Sequence, residues 1–353
     1  MPRHPRLRKR HAVGIEMNGA DVSTENKNQC RNEQLPAALG SRNPGNSCNL
    51  PAMTVEIPFR REFSFEYGRL EPVAPMIRRI VARNPSPFTF RGTGTYVVGH
   101  GEVAVIDPGP DLADHVEALL AGLAGEQVTH ILITHTHRDH SPAARALQAA
   151  TGAPTYGFGP HAGGKRGDPA VEEGGDWDFA PDETLGDGDR IAGKGWVFEA
   201  VHTPGHTSNH LCFALPDSGI LFSGDHVMGW STSVIAPPDG DMAAYMASLD
   251  KLLGRADAVY WPTHGPAITE PQDFVRTFIA HRREREAGIL DCLRAGVGRI
   301  EAIVERLYTG LQPGLRRAAG RSVHAHLIDL VARGIVESDG PPALDAHYRI
   351  ARN

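Results

Sequence analysis

The sequence predicts an α/β fold followed by a small, mainly helical C-terminal domain. From about residue 87 onward, short strand-like apolar runs are interleaved with segments that carry leucine and valine at helical spacing. After residue 271 the pattern is helical in three successive segments and ends in two short β-like pieces. With 353 residues, of which 41% are hydrophobic, the chain is long enough to bury one large core and to carry a second small domain.

The first 52 residues differ from the rest and are predicted to form a disordered N-terminal extension. A basic cluster at positions 3–10 leads into a stretch rich in Asn, Gly and Ser that lacks apolar periodicity. No apolar segment follows this cluster, which argues against a secretory signal, and scattered acidic residues argue against an organellar transit peptide. Since Met53 directly precedes the first segment of folded character, we hypothesise that translation starts there, which the intact mass of the native protein would test.

The α/β region begins with a predicted hairpin. Runs 95–99 and 102–106 meet at His100-Gly101, and the turn 107–110 ends the second strand sharply. Residues 111–124 carry apolar positions at helical spacing, and a further strand follows over 128–133. Asp107 stands at a strand end, where a metal ligand is conceivable. Because aspartate commonly bonds its own turn backbone, we expect a supporting role for it instead.

A dense cluster of polar side chains comes directly after the strand 128–133. Within seven residues the chain places His135, His137, Asp139 and His140, in the pattern H-x-H-x-D-H. Imidazole suits zinc and similar first-row metals, carboxylate adds a hard oxygen ligand, and four such groups in one turn can converge from a single strand end. The cluster therefore predicts a binuclear metal site.

Three later motifs supply further ligands of the same kind. His206 lies in the segment 203–207, Asp225 follows the apolar run 219–223, and His264 follows the apolar run 258–261. Each motif stands at a turn rich in Gly or Pro next to a short apolar strand. We therefore expect all of them to open onto the same sheet edge.

Taken in this order, the motifs between about residues 79 and 271 resemble those of the metallo-beta-lactamase superfamily. The resemblance implies a four-layer αββα sandwich with the metals held at one edge between two sheets. It also implies two zinc ions per chain. His135, His137 and His206 would bind the first, whereas Asp139, His140 and His264 would bind the second. Asp225 would bridge the two.

The ligand number predicts the chemistry. Seven protein ligands shared between two cations leave positions open, and a water between two such metals becomes a hydroxide near neutral pH. The same metals would polarise the carbonyl or phosphoryl oxygen under attack. No Gly-x-Ser-x-Gly elbow occurs, and no cysteine lies beside a plausible base, so a covalent mechanism has no candidate. Hydrolysis is the expected reaction.

Two residues are candidates for catalytic roles. Asp139 belongs to the ligand cluster itself, and His210 lies four residues beyond His206. For His210 we expect that it either faces the substrate, where it could donate a proton to the leaving group, or supports a ligand. For His226, beside Asp225, the same two roles are equally open.

The C-terminal pattern of three helices and a terminal hairpin is that of a winged helix. The helices are predicted over about 274–293, 299–308 and 315–330, and the β-like pieces are 335–337 and 347–350. This divides the chain into the extension 1–52, a catalytic domain 53–270 and a winged-helix domain 271–353.

Arg317, Arg321 and His324 are expected on the outer face of the third helix, where they could meet phosphates. The alternatives are a merely solvated face, packing against the catalytic domain, or a dimer contact.

The predicted winged helix indicates a particular family within the superfamily. A metallo-beta-lactamase domain followed by a short winged helix is similar to the beta-lactamase-like protein 2 family, whose best-known animal member is described as a mitochondrial endoribonuclease acting on single-stranded RNA. The segment 224–230 also fits this family. Ribonuclease activity is implied here by the resemblance alone.

Composition limits the partners and the compartment. The formal net charge of −6 gives no sign of a general polyanion binder, and no apolar run approaches the length of a membrane span. The four cysteines are far apart and form no C-x-x-C pair, which argues for a reducing compartment without structural disulfides. We expect a cytoplasmic enzyme without a membrane partner. The sequence leaves its oligomeric state open.

The predicted function is hydrolysis of an ester-like bond by a binuclear zinc site. The substrate would be a small-molecule ester, thioester or lactone, or the phosphodiester of single-stranded RNA. A glyoxalase II-like thioester hydrolase is a close alternative, because the motifs at 134–137 and 203–207 resemble that type too, although its glutathione-binding features are not recognisable. An iron-containing oxidoreductase of the same fold and a nucleic-acid-binding protein with an inactive catalytic domain are the other classes. Specificity is expected to depend on the loops 159–181 and 230–241.

Overall fold

The computed structural model describes residues 55–165 and 172–352, and these belong to one compact unit. The predicted N-terminal extension, residues 1–52, and the hypothetical start at Met53 lie outside the described residues. None of the helices in the described ranges is long and apolar enough to cross a lipid bilayer.

Among the described residues, the strands form two large sheets and one small hairpin. The first sheet has seven strands in sequential order, namely β1 Glu71–Ala74, β2 Ile77–Val81, β3 Gly94–His100, β4 Glu102–Ile106, β5 Gln127–Leu132, β6 Thr155–Gly157 and β7 Glu183–Thr184. The second has the order β12-β11-β10-β9-β8, with β8 Arg190–Gly193, β9 Trp196–His202, β10 Leu211–Leu215, β11 Ile220–Gly224 and β12 Val259–Pro262. The hairpin pairs β13 Val336–Ser338 with β14 Tyr348–Ile350.

Four of the six α-helices in the described residues follow the pattern predicted from apolar spacing, with small shifts at their ends, whereas those over 144–151 and 242–253 were not predicted. The six helices are α1 Ala113–Gly122, α2 Ala144–Thr151, α3 Met242–Leu253, α4 Pro271–Arg294, α5 Ile300–Leu307 and α6 Arg316–Ala332. The helix predicted over 111–124 is α1, and it loses about two residues at each end. The turn 107–110 and Gly125, which adopts a positive φ of 85°, flank it.

Alternation of side chains along each strand builds the core between the two sheets. On β3, Tyr96 and Val98 face the second sheet, whereas Val97 between them faces the other way. On β10, Leu211, Phe213 and Leu215 meet them from the opposite side. Because successive side chains of a strand point to opposite faces, each sheet offers a second apolar face that must also be covered.

Helices cover both outer faces and complete four layers. Leu119 of α1 and Leu147 of α2 pack on the outer face of the first sheet. Tyr245 and Leu249 of α3 and Phe278 of α4 pack on the outer face of the second. The predicted αββα sandwich is confirmed.

The strand directions bring five strand ends to one edge. Strand β4 runs parallel to β5, and β11 runs parallel to β12. Strand β9 is antiparallel to β10, which is antiparallel to β11, so β9 points the same way as β11. The polar motifs predicted from the sequence follow β4, β5, β9, β11 and β12. Their side chains therefore meet at the carboxyl ends of these strands.

The C-terminal domain has its own small core. Ile303 of α5, Val323 and Leu327 of α6, and Tyr348 of β14 pack together, and Ile289 in the second half of α4 joins them. The first half of α4 belongs to the catalytic core, where Phe274 and other residues cover the second sheet. One helix thus serves both cores, and the predicted division at residue 270 remains a prediction.

The orientation of α6 differs from the expectation. Arg321 does not lie on an outer face, because its Nη1 donates to the carbonyl of Pro237 at 3.1 Å in the catalytic domain, and His324 is buried. Arg317 is exposed. The shared outer face predicted for these three residues is therefore wrong, and Arg321 instead packs against the catalytic domain, which was one of the alternatives. The amphipathic pattern identifies a buried side of a helix, but two buried sides are present here, one against the winged helix and one against the catalytic domain.

Candidate metal centre

Hydrogen bonds between neighbouring strands hold the ligand-bearing turns together. The backbone N–H of Leu211 donates to the carbonyl of Thr134 at 2.7 Å, which ties the second sheet to the turn after β5. The N–H of Thr263 donates to the carbonyl of Gly224 at 3.1 Å, and that of Gly94 donates to the carbonyl of Thr263 at 2.8 Å. These bonds fix the turns after β5, β11 and β12 relative to one another.

Three imidazoles form the first group of potential ligands. His137 Nδ1 lies 3.1 Å from His135 Nε2 and 3.2 Å from His206 Nε2. All three ligand atoms fall within 4.8 Å of one another, and the side chains of His135 and His206 are buried. This is the triad predicted for the first metal.

A second group lies beside the first and shares a carboxylate with it. His264 Nε2 is 3.0 Å from Asp139 Oδ2 and 3.3 Å from Asp225 Oδ2, and His140 Nε2 is 3.5 Å from the same two oxygens. Asp225 also groups with His135 and His140 within 4.8 Å. The structure therefore brings together all seven predicted ligands, with Asp225 between the two triads.

Three of the histidines form a hydrogen bond through the ring nitrogen that faces away from the centre, and this bond determines which nitrogen carries the hydrogen in the neutral ring. His206 Nδ1 donates to the carbonyl of Val234 at 2.7 Å, and His264 Nδ1 donates to the carbonyl of Gly92 at 3.3 Å. His140 Nδ1 donates to Asp107 Oδ2 at 2.9 Å. When a carbonyl or carboxylate accepts from one ring nitrogen, the neutral imidazole presents an unprotonated nitrogen at the other.

This convergence fits a metal better than a hydrogen-bond network. His206 Nε2 is an acceptor because its Nδ1 donates to the Val234 carbonyl, and a hydrogen on His137 Nδ1 can satisfy only one of its two neighbours, His135 Nε2 and His206 Nε2. Among the described residues, His140 Nε2 and Asp225 Oδ1 are buried without a hydrogen-bond partner. Because buried polar atoms are almost always paired, this donor set is suited to cations that bind nitrogen and oxygen.

Asp107 supports the second group without being a ligand. Its Oδ2 accepts from His140 Nδ1, from the Thr134 hydroxyl at 2.7 Å and from the Thr263 hydroxyl at 3.0 Å, and its Oδ1 accepts from the Thr134 N–H at 2.8 Å. The residue is fully buried and adopts a φ of +47°. The supporting role expected for Asp107 agrees with this geometry.

The two groups differ in their protonation chemistry. Burial lowers the pKa of His135 and His137 well below the usual value, so both stay neutral. Burial acts in the same direction on His264, but the carboxylates of Asp225 and Asp139 outweigh it and raise its pKa to about 10. The same kind of contact lowers the pKa of Asp139 to about 2 against the opposing effect of burial. The second group is therefore a paired cluster of charges that a cation can enter by displacing protons.

Two glycines of the motifs are required by space and by backbone conformation. Gly205 has a φ of +138°, and a Cβ at this position would lie 2.3 Å from the Cα of Tyr245. Gly224 has a φ of +51°, and its Cβ would lie 2.5 Å from His210 Nε2. Only glycine combines these dihedral angles with such close approach.

His210 lies beneath the ligands, not in the cleft. The side chain is fully buried, its Nδ1 lies 2.9 Å from the Thr203 hydroxyl, and its Nε2 accepts from the backbone N–H of Asp225 at 3.2 Å. The geometry favours the supporting role over proton donation to a leaving group, and the catalytic assignment of Asp139 and His210 remains a prediction. His226 is likewise fully buried, against Tyr245, with burial lowering its pKa to about 3.

Three contributors to the site were not identified from the sequence. Glu172 Oε2 lies 4.0 Å from His206 Nδ1, and burial raises the pKa of this carboxyl well above its usual value. Ser233 donates from its hydroxyl to the carbonyl of Asp225 at 2.5 Å and to that of His226 at 2.9 Å. Arg282 of α4 donates to the Ser233 carbonyl. Glu172 and Ser233 lie in the two loops predicted to control specificity, whereas nothing in the pattern of α4 distinguishes Arg282.

A cavity of about 320 Å³ opens beside the first group of ligands. Its wall includes His137, Glu172 and Trp177, together with residues 236–239 from the loop after β11 and Arg321 from α6. The loops 159–181 and 230–241 thus both contribute to the cleft over the metal centre.

Two family models match the chain: the metallo-beta-lactamase superfamily over residues 89–264 and the beta-lactamase associated winged helix domain over residues 300–341. The chain is 31% identical over 244 residues to an atrochrysone carboxyl ACP thioesterase of Paecilomyces divaricatus, covering 66% of this chain and 70% of that protein. It is 30% identical over 279 residues to the beta-lactamase-like protein 2 homolog of Caenorhabditis elegans, and the match covers 76% of this chain and 88% of that protein.

Among solved structures, a metallo-beta-lactamase family protein from Thermus thermophilus matches with a TM-score of 0.63 at 24% identity, over 78% of this chain and 99% of that chain. This likeness concerns the fold. The family models and the two relatives concern the sequence, and they agree with the arrangement of sheets, ligands and C-terminal helices. The chain therefore belongs to the metallo-beta-lactamase superfamily and is a metal-dependent hydrolase with a beta-lactamase-associated winged helix domain.

Proposed function

We propose that the protein hydrolyses a small-molecule thioester at a site that holds two zinc ions. The observation that carries the proposal is the pair of ligand groups sharing Asp225, in each of which the histidine nitrogens and aspartate oxygens lie within 4.8 Å of one another. His135, His137 and His206 would hold one ion, and Asp139, His140 and His264 the other. Two bound zinc ions would supply a hydroxide near neutral pH and polarise the carbonyl under attack.

The reaction needs no nucleophile from the protein. Water adds its oxygen to the carbonyl carbon, the carbon–sulfur bond breaks, and the products are a carboxylate and a thiol. Because a thiol has a pKa near 8.5, the leaving group departs as a thiolate without a protein acid. This agrees with the position of His210, whose two ring nitrogens are engaged below the ligands.

A thioester is favoured over RNA by two observations. The relative from Paecilomyces divaricatus is an atrochrysone carboxyl ACP thioesterase, which supports an acyl thioester as the substrate class. The outer face of α6 that the sequence offered for phosphate contacts is not formed, because Arg321 donates to the Pro237 carbonyl and His324 is buried. RNA cleavage is therefore the second candidate, favoured by the resemblance to the beta-lactamase-like protein 2 homolog.

Metal analysis combined with a substrate comparison tests the proposal. The purified protein should hold about two zinc ions, hydrolyse the acetyl thioester of N-acetylcysteamine and leave single-stranded RNA intact. Asp225→Ala should lower the metal content and reduce turnover by at least about a thousandfold. Asp217→Ala, a change at an exposed aspartate of the turn after β10, is the matched control and should do neither.

Three results would contradict the proposal in different ways. RNA cleavage that Asp225→Ala lacks, without thioester turnover, would replace the substrate class. A site that contains iron instead of zinc would indicate an oxidoreductase instead of a hydrolase. Full activity in Asp225→Ala would exclude the bridging role of that carboxylate.

A further inference from the structure

A second cavity, which we call the interdomain cleft, lies between the catalytic core and the winged helix. Its volume is about 600 Å³, within the range of small-molecule sites. Phe90, Trp230 and Ser233 line it from the catalytic side, and Arg285 of α4 and Tyr308 after α5 line it from the C-terminal side. Glu172 and residues 230–234 of its wall belong to the two loops predicted to control specificity, whereas its residues on α4 and after α5 were not part of the sequence-based prediction of the site.

The cleft lies next to the metal centre. Glu172 lines both this cavity and the one beside His137. Ser233 and Val234 form part of its wall, and the carbonyl of Val234 accepts the hydrogen bond from the ligand His206. The interdomain cleft and the cavity beside His137 therefore adjoin at Glu172.

Aromatic rings form the walls of the cleft. Phe90 and Trp230 stack at 4.9 Å between ring centroids with an angle of 19° between their planes. Tyr308 contributes a third ring, and the guanidinium of Arg285 lies 4.1 Å from its centroid. Flat apolar walls of this kind are suited to an aromatic ligand.

Two guanidinium groups in the cleft have no carboxylate partner within the part of the chain that the structure describes. Arg282 is only 3% exposed; its terminal nitrogens donate to the Ser233 carbonyl and to the Ser322 hydroxyl, the latter at 3.4 Å. Arg285 donates to the Leu307 carbonyl at 2.8 Å. The Nε atoms of both are buried without a partner, and no carboxylate among the described residues forms an ion pair with either.

Buried charges are normally paired, so buried Arg282 and partly buried Arg285 call for an anionic partner that the described residues do not supply. The uncompensated donors lie beside aromatic walls and next to a hydrolytic centre. We propose that the interdomain cleft binds the acyl part of the substrate, and that this acyl group is aromatic and carries an anionic oxygen such as a carboxylate. The proposal rests on the proposed thioester hydrolysis. It makes the winged helix a wall of the substrate site.

The test compares three thioesters of N-acetylcysteamine, with acetyl, benzoyl and para-carboxybenzoyl groups. We expect the wild-type enzyme to have its highest kcat/KM with the para-carboxybenzoyl substrate. Arg285→Gln should lower the ratio of kcat/KM for para-carboxybenzoyl over benzoyl by at least about tenfold, as loss of a charge-assisted hydrogen bond implies. Arg294→Gln changes an exposed arginine of the same helix, paired only with Asp291 among the described residues, and should leave the ratio unchanged.

A second variant tests the aromatic walls independently of charge. Leu311→Trp places a larger side chain at the rim of the cleft and should lower kcat/KM for both aromatic substrates relative to acetyl. Equal melting temperatures of the variants and the wild type would show that folding is not the cause.

The outcomes separate this inference from the proposed function. Turnover of all three thioesters without preference for the charged aromatic group, or a ratio that Arg285→Gln leaves unchanged, would overturn the inference alone. Absence of any thioester turnover would overturn the proposed function. In that case calorimetric titration with terephthalate still tests the cleft, because binding weakened at least about tenfold by Arg285→Gln would support it and unchanged binding would exclude it.

Discussion

At the scale of single residues, the metal centre depends on side chains that are not ligands. Asp107 accepts four hydrogen bonds from three residues, including the one that orients His140. Such partners fix the tautomer and the ring orientation of a metal-binding histidine, and they raise its basicity. The candidate centre therefore includes, besides the seven predicted ligands, the groups that hold them.

Replacing the Asp107 carboxylate tests this role. We expect Asp107→Asn to weaken the binding of one of the two zinc ions by about 10–100-fold, because a neutral amide is a poorer acceptor for His140 Nδ1–H. Calorimetric titration of the metal-free protein with zinc would measure the two binding steps. Asp111→Asn, an exposed change in the following turn, is the control and should bind both ions as the wild type does. Unchanged affinity in Asp107→Asn would show that His140 is held without it.

At the scale of elements, α4 and α6 carry histidines that are buried beside arginines. His326 of α6 is fully buried without a hydrogen-bond partner for either ring nitrogen, and it faces Arg282, His281, Arg285 and Arg333. Burial, followed by the positive charge of Arg282, lowers its pKa to about 3. The ring is therefore neutral in the folded protein at every pH from about 4 upward.

This histidine makes the stability of the protein depend on pH. The unfolded chain takes up a proton on His326 near pH 6.5, whereas the folded protein does not until about pH 3. The stabilisation is thus complete above pH 6.5 and is lost as the pH falls below it, by about 2 kcal/mol between pH 7 and 5.

Urea unfolding at several pH values measures this loss. His326→Gln should reduce the fall in unfolding free energy between pH 7 and 5, since glutamine does not titrate. His100→Gln, at an exposed position of β3, should keep the wild-type slope. A slope in His326→Gln equal to that of the wild type would mean that the residue is not buried in the neutral form.

At the scale of the whole molecule, α4 joins two hydrophobic cores. Phe274 and Phe278 in its first half complete the layer on the second sheet, and Ile289 and Leu293 in its second half belong to the winged helix. Arg282 lies between these halves and connects Ser233 of the loop beside the metal centre with Ser322 of α6. Loss of either core would leave part of this helix without its packing.

We therefore expect the two domains to unfold in a single transition. Leu327→Ala removes a fully buried side chain from the winged-helix core, which costs about 2–5 kcal/mol. Differential scanning calorimetry should show the entire transition at a lower temperature, with thioester activity lost over the same range. Leu344→Ala, at a side chain that is 41% exposed, should leave the melting temperature almost unchanged. Two separate transitions in Leu327→Ala, the upper one retaining activity, would show that the domains are independent.

Much of the fold was accessible from the sequence because its signals are local. The hairpin of β3 and β4 follows from two alternating runs around His100-Gly101, and α4 and α6 follow from apolar residues at helical spacing. The surface of α6 was not accessible in the same way. The apolar spacing of a helix does not show against how many neighbouring elements the helix packs. Arg321 and His324 were therefore predicted on an outer face, although Arg321 contacts the catalytic domain and His324 is buried.

By itself the sequence predicted the four layers and, through the family resemblance, the ligand set, since each ligand motif adjoins a strand and the side chains of each strand alternate between faces. His135, His137, Asp139 and His140 are close together in the sequence, and glycine at positions 205 and 224 already indicated tight turns. The tertiary structure alone decided the partners of those ligands, the place of Glu172 beside His206 and the cleft with its two uncompensated arginines. These features join residues that are far apart in the chain, and their proximity arises from the packing of sheets and helices, which no local pattern encodes.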